Sequence, residues 1–425
     1  MASVKTCENS IAFLSGKQIK LFDIRQGNIT TLCLPEEPPK EEKSQEEDKK
    51  EPECGENRTL AAAFSASSCH LAVLDDFKQL HLYVLEANNT GWTLKTSRSV
   101  NRRSTSVVFT SDDENVLVAD KSGDVFKYSV TEPSSEGQLL MGHLSMLLDM
   151  KLTADDRYLV SCDRDEKIRV SHFPNAYNIH SYCLGHTDFV THLAYVPGAE
   201  AIISASGDGT IRCWNLKGEA LHCLSHGIQA KTEAEEPPLQ QTKPSDCLAI
   251  IRCFAFNPHS GALAVTFDSS SVLQVYKVTR EEKTLCISLQ DDHNLPCVPW
   301  DVQFGPDSSL WVLLPLQEKP VAIFNYLPED GDADTFKIKE LEVSSLSKEV
   351  LQIQKTLSED WDFFKESLDV PCWTKALAKS RVDNTLDYLK RKEQQMKKKQ
   401  KPSQSEGKLS EDSAKEPSAK VAKME

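Results

Sequence analysis

Residues 204–214 read SASGDGTIRCW, and GHTDFV stands shortly before them at 185–190. Small and apolar residues close one run, Gly-Asp-Gly-Thr makes a polar turn, and Ile-Arg-Cys-Trp opens an alternating run. That is the pattern of two β-strands joined by a tight hairpin. The same frame recurs along the chain: DDFKQLHLY from Asp75, DKSGDVFKY from Asp120, DRDEKIRVS from Asp163, SGDGTIRCW from Ser206 and DSSSVLQVY from Asp268. Four of the five copies end on an aromatic at the same offset, namely Tyr83, Tyr128, Trp214 and Tyr276. The first four copies start roughly 45 residues apart, and an insert at 227–247 lengthens the last gap.

Upstream of each turn lies a second strand (HLAVL, NVLVA, RYLVS, AIISA, ALAVT), and further upstream a third (LAAAFS, STSVVFT, MLLDMKLT, THLAYVP, IRCFAFN). Short strands punctuated by polar turns at this period predict an all-β fold of the propeller type. A single small sheet cannot bury both of its faces, whereas blades stacked around an axis bury all of them. One more blade reads from 300–327, and 10–24 supplies two strands of another. A strand pair at one end and an incomplete blade at the other predict seven blades, closed by strands from both ends, with 332–344 as the candidate closing segment. The expected organisation is a propeller over 1–344 with flexible inserts at 35–57 and 227–247. A C-terminal helical extension over 345–400 and a disordered tail over 401–425 follow. Leu346, Val350, Ile353 and Leu357 recur at helical spacing, and DNTLDYLKRKEQQM reads as a second helix.

The formal net charge is −15, which argues against a protein that coats nucleic acid with its whole surface. One segment departs from that average: KRKEQQMKKKQK at 390–401 is strongly basic. The thirteen cysteines are scattered, with no Cys-x-x-Cys pair, and read as reduced core residues rather than a disulfide framework or a zinc site. No apolar run is long enough for a membrane span. The sequence has no glycine-rich dinucleotide or phosphate loop, no Gly-x-Ser-x-Gly and no His-Glu-x-x-His. No catalytic residue, metal site or cofactor site is therefore expected.

GHTDFV together with SASGDGTIRCW resembles the WD-repeat family. In that family the equivalents of His186, Ser204, Asp208 and Trp214 form a buried, purely structural hydrogen-bonded chain. The preceding copy keeps the Gly-His at 142–143 but ends on Ser171 instead of an aromatic, so it is a degenerate repeat.

That degenerate copy also carries the densest charge of any turn, DRDEKIRVS at 163–171. Strand alternation places Lys167 and Arg169 on one face and Ile168 and Val170 on the other. A solvated outer face explains such a run in an ordinary blade. Its place at a propeller rim, where partners bind, makes Arg164, Glu166, Lys167 and Arg169 the candidate docking residues, with arginine suited to a partner's carboxylate. NRRSTS at 101–106 sets Arg102 and Arg103 before a strand, as an ordinary basic loop or as phosphate contacts. Lys390, Arg391 and Lys392 are the other RNA-contact candidates, on a segment that equally reads as a nuclear-localisation signal.

VLVADKSGDVFKYSV, GHLSMLLDM, DRDEKIRVS, CLGHTDFV, SGDGTIRCW and the terminal VDNTLDYLKRKEQQ are together similar to the non-catalytic WD-repeat subunits of tRNA (guanine-N7)-methyltransferases. The resemblance covers about 60–395. It implies a heterodimer with a separate catalytic subunit that holds S-adenosylmethionine, N7-methylguanosine formation in the variable loop of tRNAs, a docking role for Glu166, Lys167 and Arg169, and a nuclear protein. The alternative on the same fold is a WD-repeat adaptor for another complex, in ubiquitin-ligase substrate recruitment or chromatin binding.

Overall fold

The computed structural model describes residues 1–36, 57–86, 91–225, 250–268, 270–281, 284–329, 332–368, 370, 374, 377 and 392. Most of the two expected inserts, the expected tail, Lys390 and Arg391 lie outside these residues. Residues 1–378 form one compact unit. Within it, seven four-stranded antiparallel sheets follow one another, over 3–33, 59–99, 104–142, 147–183, 190–225, 251–294 and 301–340. They are blades 1 to 7 of a β-propeller. The first strand of each blade neighbours the first strand of the next, so these strands form the inner ring.

Burial explains the pattern. The second strand of blade 5, Ala201–Ser206, is buried along its whole length. Its outer strand, Ala220–Ser225, is half exposed. Seven apolar clusters occupy the seven seams between successive blades. One is the cluster of Leu148, Val160, Ile168 and Val170 from blade 4 with Phe189, Ile202 and Trp214 from blade 5. Each sheet therefore buries both faces, and no blade is a stable unit without its neighbours.

The turn between the second and third strands is built alike from blade to blade. Its first residue accepts backbone N–H groups two or four residues on: Gln79 N to Asp75 at 2.7 Å, Ser122 N and Asp124 N to Asp120 at 2.7 and 3.1 Å, and Asp165 N and Lys167 N to Asp163 at 2.9 and 3.0 Å. In blade 5 the Ser206 hydroxyl takes that place, accepting from Asp208 N at 3.1 Å. In blades 2 to 5 the fourth residue of the turn has positive φ: Lys78 at 61°, Gly123 at 101°, Glu166 at 74° and Gly209 at 77°.

Ring closure differs from the sequence expectation. Among the described residues every blade is contiguous in sequence, and no sheet mixes strands from the two ends. Ser3–Thr6 is a short, polar inner strand that completes blade 1, and Asp332–Glu340 is the outer strand of blade 7. Blades 7 and 1 meet through side chains instead. The Asp301 carboxylate accepts from Val4 N at 3.0 Å, and the Thr6 hydroxyl donates to the Phe304 carbonyl at 2.5 Å. A helical clasp covers the seam. Helix α1, Lys348–Glu359, starts at Ser347, whose hydroxyl accepts from Val350 N, and buries Ile353 and Leu357. A 3-10 turn, Trp361–Phe364, and the short helix α2, Lys365–Leu368, follow. Ile353, Leu357, Phe363 and Phe364 join Phe13 and Phe22 of blade 1 and Trp300, Trp311 and Ile323 of blade 7 in one cluster. Trp361 stacks on Trp300 at 6.1 Å between ring centroids.

Phe364 is fully buried at this seam. Phe364→Ala should cost about 3–5 kcal/mol. Hydrogen exchange should then quicken first in Ser3–Thr6 and Asp301–Phe304, with blades 4 and 5 still protected. Uniform loss of protection would show that the clasp does not act on the seam.

Candidate functional site

Blade 5 carries the complete side-chain chain behind its turn. The Trp214 indole N–H donates to the Ser204 hydroxyl at 2.8 Å, and that hydroxyl donates to His186 Nε2 at 2.8 Å. His186 Nδ1–H donates to Asp208 at 2.9 Å. Asp208 also accepts from Thr187 N at 3.0 Å and Thr210 N at 2.9 Å. Its carboxyl lies well below the usual carboxylate range: burial alone would raise it, but the bonds from His186 and Thr210 outweigh that. All four side chains are spent on one another, so the chain is a brace with no reactive end.

Blade 4 repeats half of this. His143 Nδ1–H donates to Asp163 at 2.9 Å, and Ser161 donates to His143 Nε2 at 2.8 Å. The tryptophan position is Ser171, and Met141 of blade 3 lies against it. Its sulfur lies 3.8 Å from the Ser171 hydroxyl and 2.7 Å from Arg169 Nη2. Arg169 is only 7 % exposed. Its Nη1 donates to the Gly142 carbonyl at 3.0 Å. Arg169 lies in the strand Ile168–His172, whereas Lys167 belongs to the turn before it, and of the two Lys167 alone reaches solvent. The small Ser171 and the neighbouring Met141 draw the arginine inward, so it braces the blade 3 to blade 4 junction rather than presenting its fork to solvent.

The other candidates divide as follows. Glu166 and Lys167 stand on the rim. Arg164 Nε donates to the Leu377 carbonyl at 3.2 Å, so this arginine holds the chain's own C-terminal segment. Arg102 is exposed. Arg103 pairs with Asp76 at 2.8 Å and is not a free cation. Lys392 is helical and exposed.

Sequence reasoning missed the apolar residues around this turn. Leu144, in the loop entering blade 4, is fully exposed, and Leu184, in the loop leaving it, is mostly so. Both loops lie beside the turn, because Arg164 N bonds the Met146 carbonyl at 3.0 Å and Cys183, just before Leu184, pairs with Ile168, which follows the turn. Tyr182, register partner of Arg169 on the outer strand, is 40 % exposed. Tyr177 and Ile179 are also exposed, at the other end of that strand. Exposed leucines framing a charged turn have the composition of a protein interface, with apolar anchors inside a polar rim. Among the described residues no group of three or more His, Cys, Asp and Glu is placed to hold a metal ion.

Comparison with known proteins agrees with this architecture. Residues 15–135 and 128–314 match the family described as tRNA methyltransferase TRM82 WD40 domain. The zebrafish (Danio rerio) protein named tRNA (guanine-N(7)-)-methyltransferase non-catalytic subunit wdr4 is 35% identical over 339 residues, 79% of this chain and 77% of that protein. The human subunit of the same name is 33% identical over 391 residues, covering 91% of this chain and 89% of its own. Among solved structures, that of U3-55K superposes with a TM-score of 0.56 at 16% identity, over 80% of this chain and 94% of the other, a likeness of fold.

Two measurements check the turn. Glu166 holds a left-handed conformation at φ 74° that glycine takes without strain. Glu166→Gly should therefore raise stability by roughly 0.5–1 kcal/mol in chemical denaturation. His143 is held below its ordinary value of 6.5, chiefly by burial, against the opposing bond to Asp163. The folded state resists a proton that the unfolded chain accepts, so this contribution is intact above about 6.5 and is lost as pH falls below it. Melting curves from pH 7.5 to 5 should show a shallower decline in His143→Asn than in the wild type.

Proposed function

The chain belongs to the tRNA methyltransferase TRM82 WD40 domain family, and from that membership we propose that it is the non-catalytic subunit of a tRNA (guanine-N7)-methyltransferase. The curated relatives are named as non-catalytic subunits of that enzyme, and chemistry is accordingly assigned to a partner. That partner would carry S-adenosylmethionine, and no residue of this chain is given a part in methyl transfer.

The catalytic subunit docks on the rim of blade 4. The observation that carries this placement is the charged turn framed by Leu144, Leu184 and Tyr182. The leucines and the tyrosine supply buried area, and Glu166 and Lys167 supply register and charge complementarity. Arg169 and Arg164 act one step back. Arg169 fixes the Gly142 carbonyl, two residues before Leu144, and Arg164 fixes the Leu377 carbonyl beside the turn. They are positioning residues, which distinguishes them from Lys167. A propeller whose seams are all packed is a stiff platform. Docking on it lowers the conformational freedom that the partner's substrate-facing loops would otherwise lose when tRNA binds. Arg102 and the basic segment that includes Lys390, Arg391 and Lys392 are proposed to add phosphate contacts. The same basic segment is proposed to direct the protein to the nucleus.

Co-purification with the catalytic subunit tests the docking face. Leu144→Asp, Leu184→Asp and Lys167→Glu should each weaken association about tenfold or more, roughly 1.4 kcal/mol, with an unchanged melting midpoint. Arg169→Leu should lower both association and melting midpoint, because it empties a buried site. Wild-type association in the two leucine variants would rule out this face, and co-purification of ubiquitin-ligase or chromatin components in place of a methyltransferase would favour an adaptor.

A further inference from the structure

In blades 2 to 6 the outer strand carries one extra residue where it pairs with the third strand. Register shifts place it at Lys95, Leu140, His180, Leu221 and Gln290 in turn. Such a bulge re-aims one side chain. Outside blade 4 that side chain serves the next blade in the ring. Lys95 donates to the Val130 carbonyl of blade 3 at 3.0 Å, and Gln290 accepts from Phe336 N of blade 7 at 3.2 Å. Leu140 packs with Leu147 and Leu159 of blade 4, and Leu221 packs on the apolar cluster shared with blade 6.

His180 departs from that rule. It stays exposed and meets rings of its own blade. Its ring centroid lies 5.1 Å from that of His172 and 4.8 Å from that of Tyr158, and Tyr158 lies 5.2 Å from His172. His172 ends the strand Ile168–His172 and is the register partner of Tyr158, so the three rings gather at the end of blade 4 away from the charged turn. His172 is exposed as well, and the two imidazole planes are 83° apart. A transition-metal ion binds an imidazole nitrogen at about 2.0–2.1 Å. Two rings on one ion, at N–metal–N angles of about 90–110°, therefore have centroids about 4.5–5.2 Å apart. The separation of His172 and His180 falls inside that range. Ligation also needs a neutral imidazole, and burial, followed by the charges of His172 and Lys217, holds His180 below its ordinary value. Arg157, beside Tyr158, is matched by Asp155 and Glu200. Lys217 of blade 5 is the cation that opposes a further positive charge here.

We propose that His172 and His180 chelate a divalent transition-metal ion, which clips the outer strand Ile179–Cys183 to the strand Ile168–His172. Among the described residues no larger group of His, Cys, Asp and Glu is placed to hold a metal ion, so water completes the coordination. The donor set selects the ion. Imidazole suits nickel, copper and zinc, whereas magnesium and calcium take oxygen ligands. Packing alone accounts less well for the cluster, because both imidazoles are exposed where the bulge residues of the other blades reach a neighbour. The clipped strand also carries Tyr182, so an ion bound here stiffens one edge of the docking face proposed above. The site itself does not depend on that docking.

The test uses the full chain without an affinity tag, stripped with a chelator and titrated with Ni²⁺ by calorimetry, with Mg²⁺ as the control ion. The wild type should bind Ni²⁺ and give no response to Mg²⁺. His172→Gln and His180→Gln should each weaken Ni²⁺ binding about tenfold or more. Their metal-free melting midpoints should stay at the wild-type value, because both rings are exposed. Lys217→Gln removes the opposing charge and should tighten Ni²⁺ binding about two- to fivefold. Hydrogen exchange in Ile179–Cys183 should slow with Ni²⁺ in the wild type and not in the histidine variants. Undiminished Ni²⁺ binding in both histidine variants overturns the site and moves the ion elsewhere, the exposed Cys33, Cys69 and Cys223 included. A wild type that binds no Ni²⁺ overturns it as well. Binding that leaves exchange in Ile179–Cys183 unchanged overturns the clip.

Discussion

Everything in this molecule depends on the burial of blade 7 against blade 1. A ring of sheets has no free faces only if its last seam closes, and here it closes without a strand exchanged between the two ends. The carboxylate of Asp301 reaches across to the first strand of the chain, and an aromatic cluster built around Trp300, Phe22 and Phe364 seals the join. Because blades lend one another their cores, a gap at one seam exposes two sheets at once. The helical segment after the propeller is accordingly part of its core, with Phe364 as buried as any strand residue.

The repeat was legible because its signals are local. A carboxylate that caps its own turn, a left-handed residue three places later and a strand buried on both faces all fall within a dozen residues, and each leaves a mark on composition. The strand that escaped detection is the one with least to bury: Ser3–Thr6 is short and polar. The sequence marks 332–344 as the closing segment, and Asp332–Glu340 is the outer strand of blade 7. Missing the first strand of blade 1 is what made closure look like a strand exchange.

The charged turn was legible as a feature, but not which of its side chains reach solvent. Charge density singled out 163–167, but burial of Arg169 depends on Met141 in another blade, and pairing of Arg103 depends on Asp76 in another. Such facts are properties of seams, which no window of sequence spans. Leu144 and Leu184 stood in plain sight beside the Gly-His pairs. A single leucine next to a strand looks like core, and only the fold turns it outward.

The C-terminal segment has a further consequence. It is tied to blade 1 through the Ser367 hydroxyl on Ser15, then reaches Asp268 on blade 6, and ends at Arg164 on blade 4. The charged turn is thus complete only in a chain whose ends have already met. In the proposed docking, recognition of that turn doubles as an inspection of the whole circle, because the surface the partner would read on one blade is finished by a segment that starts at the opposite seam.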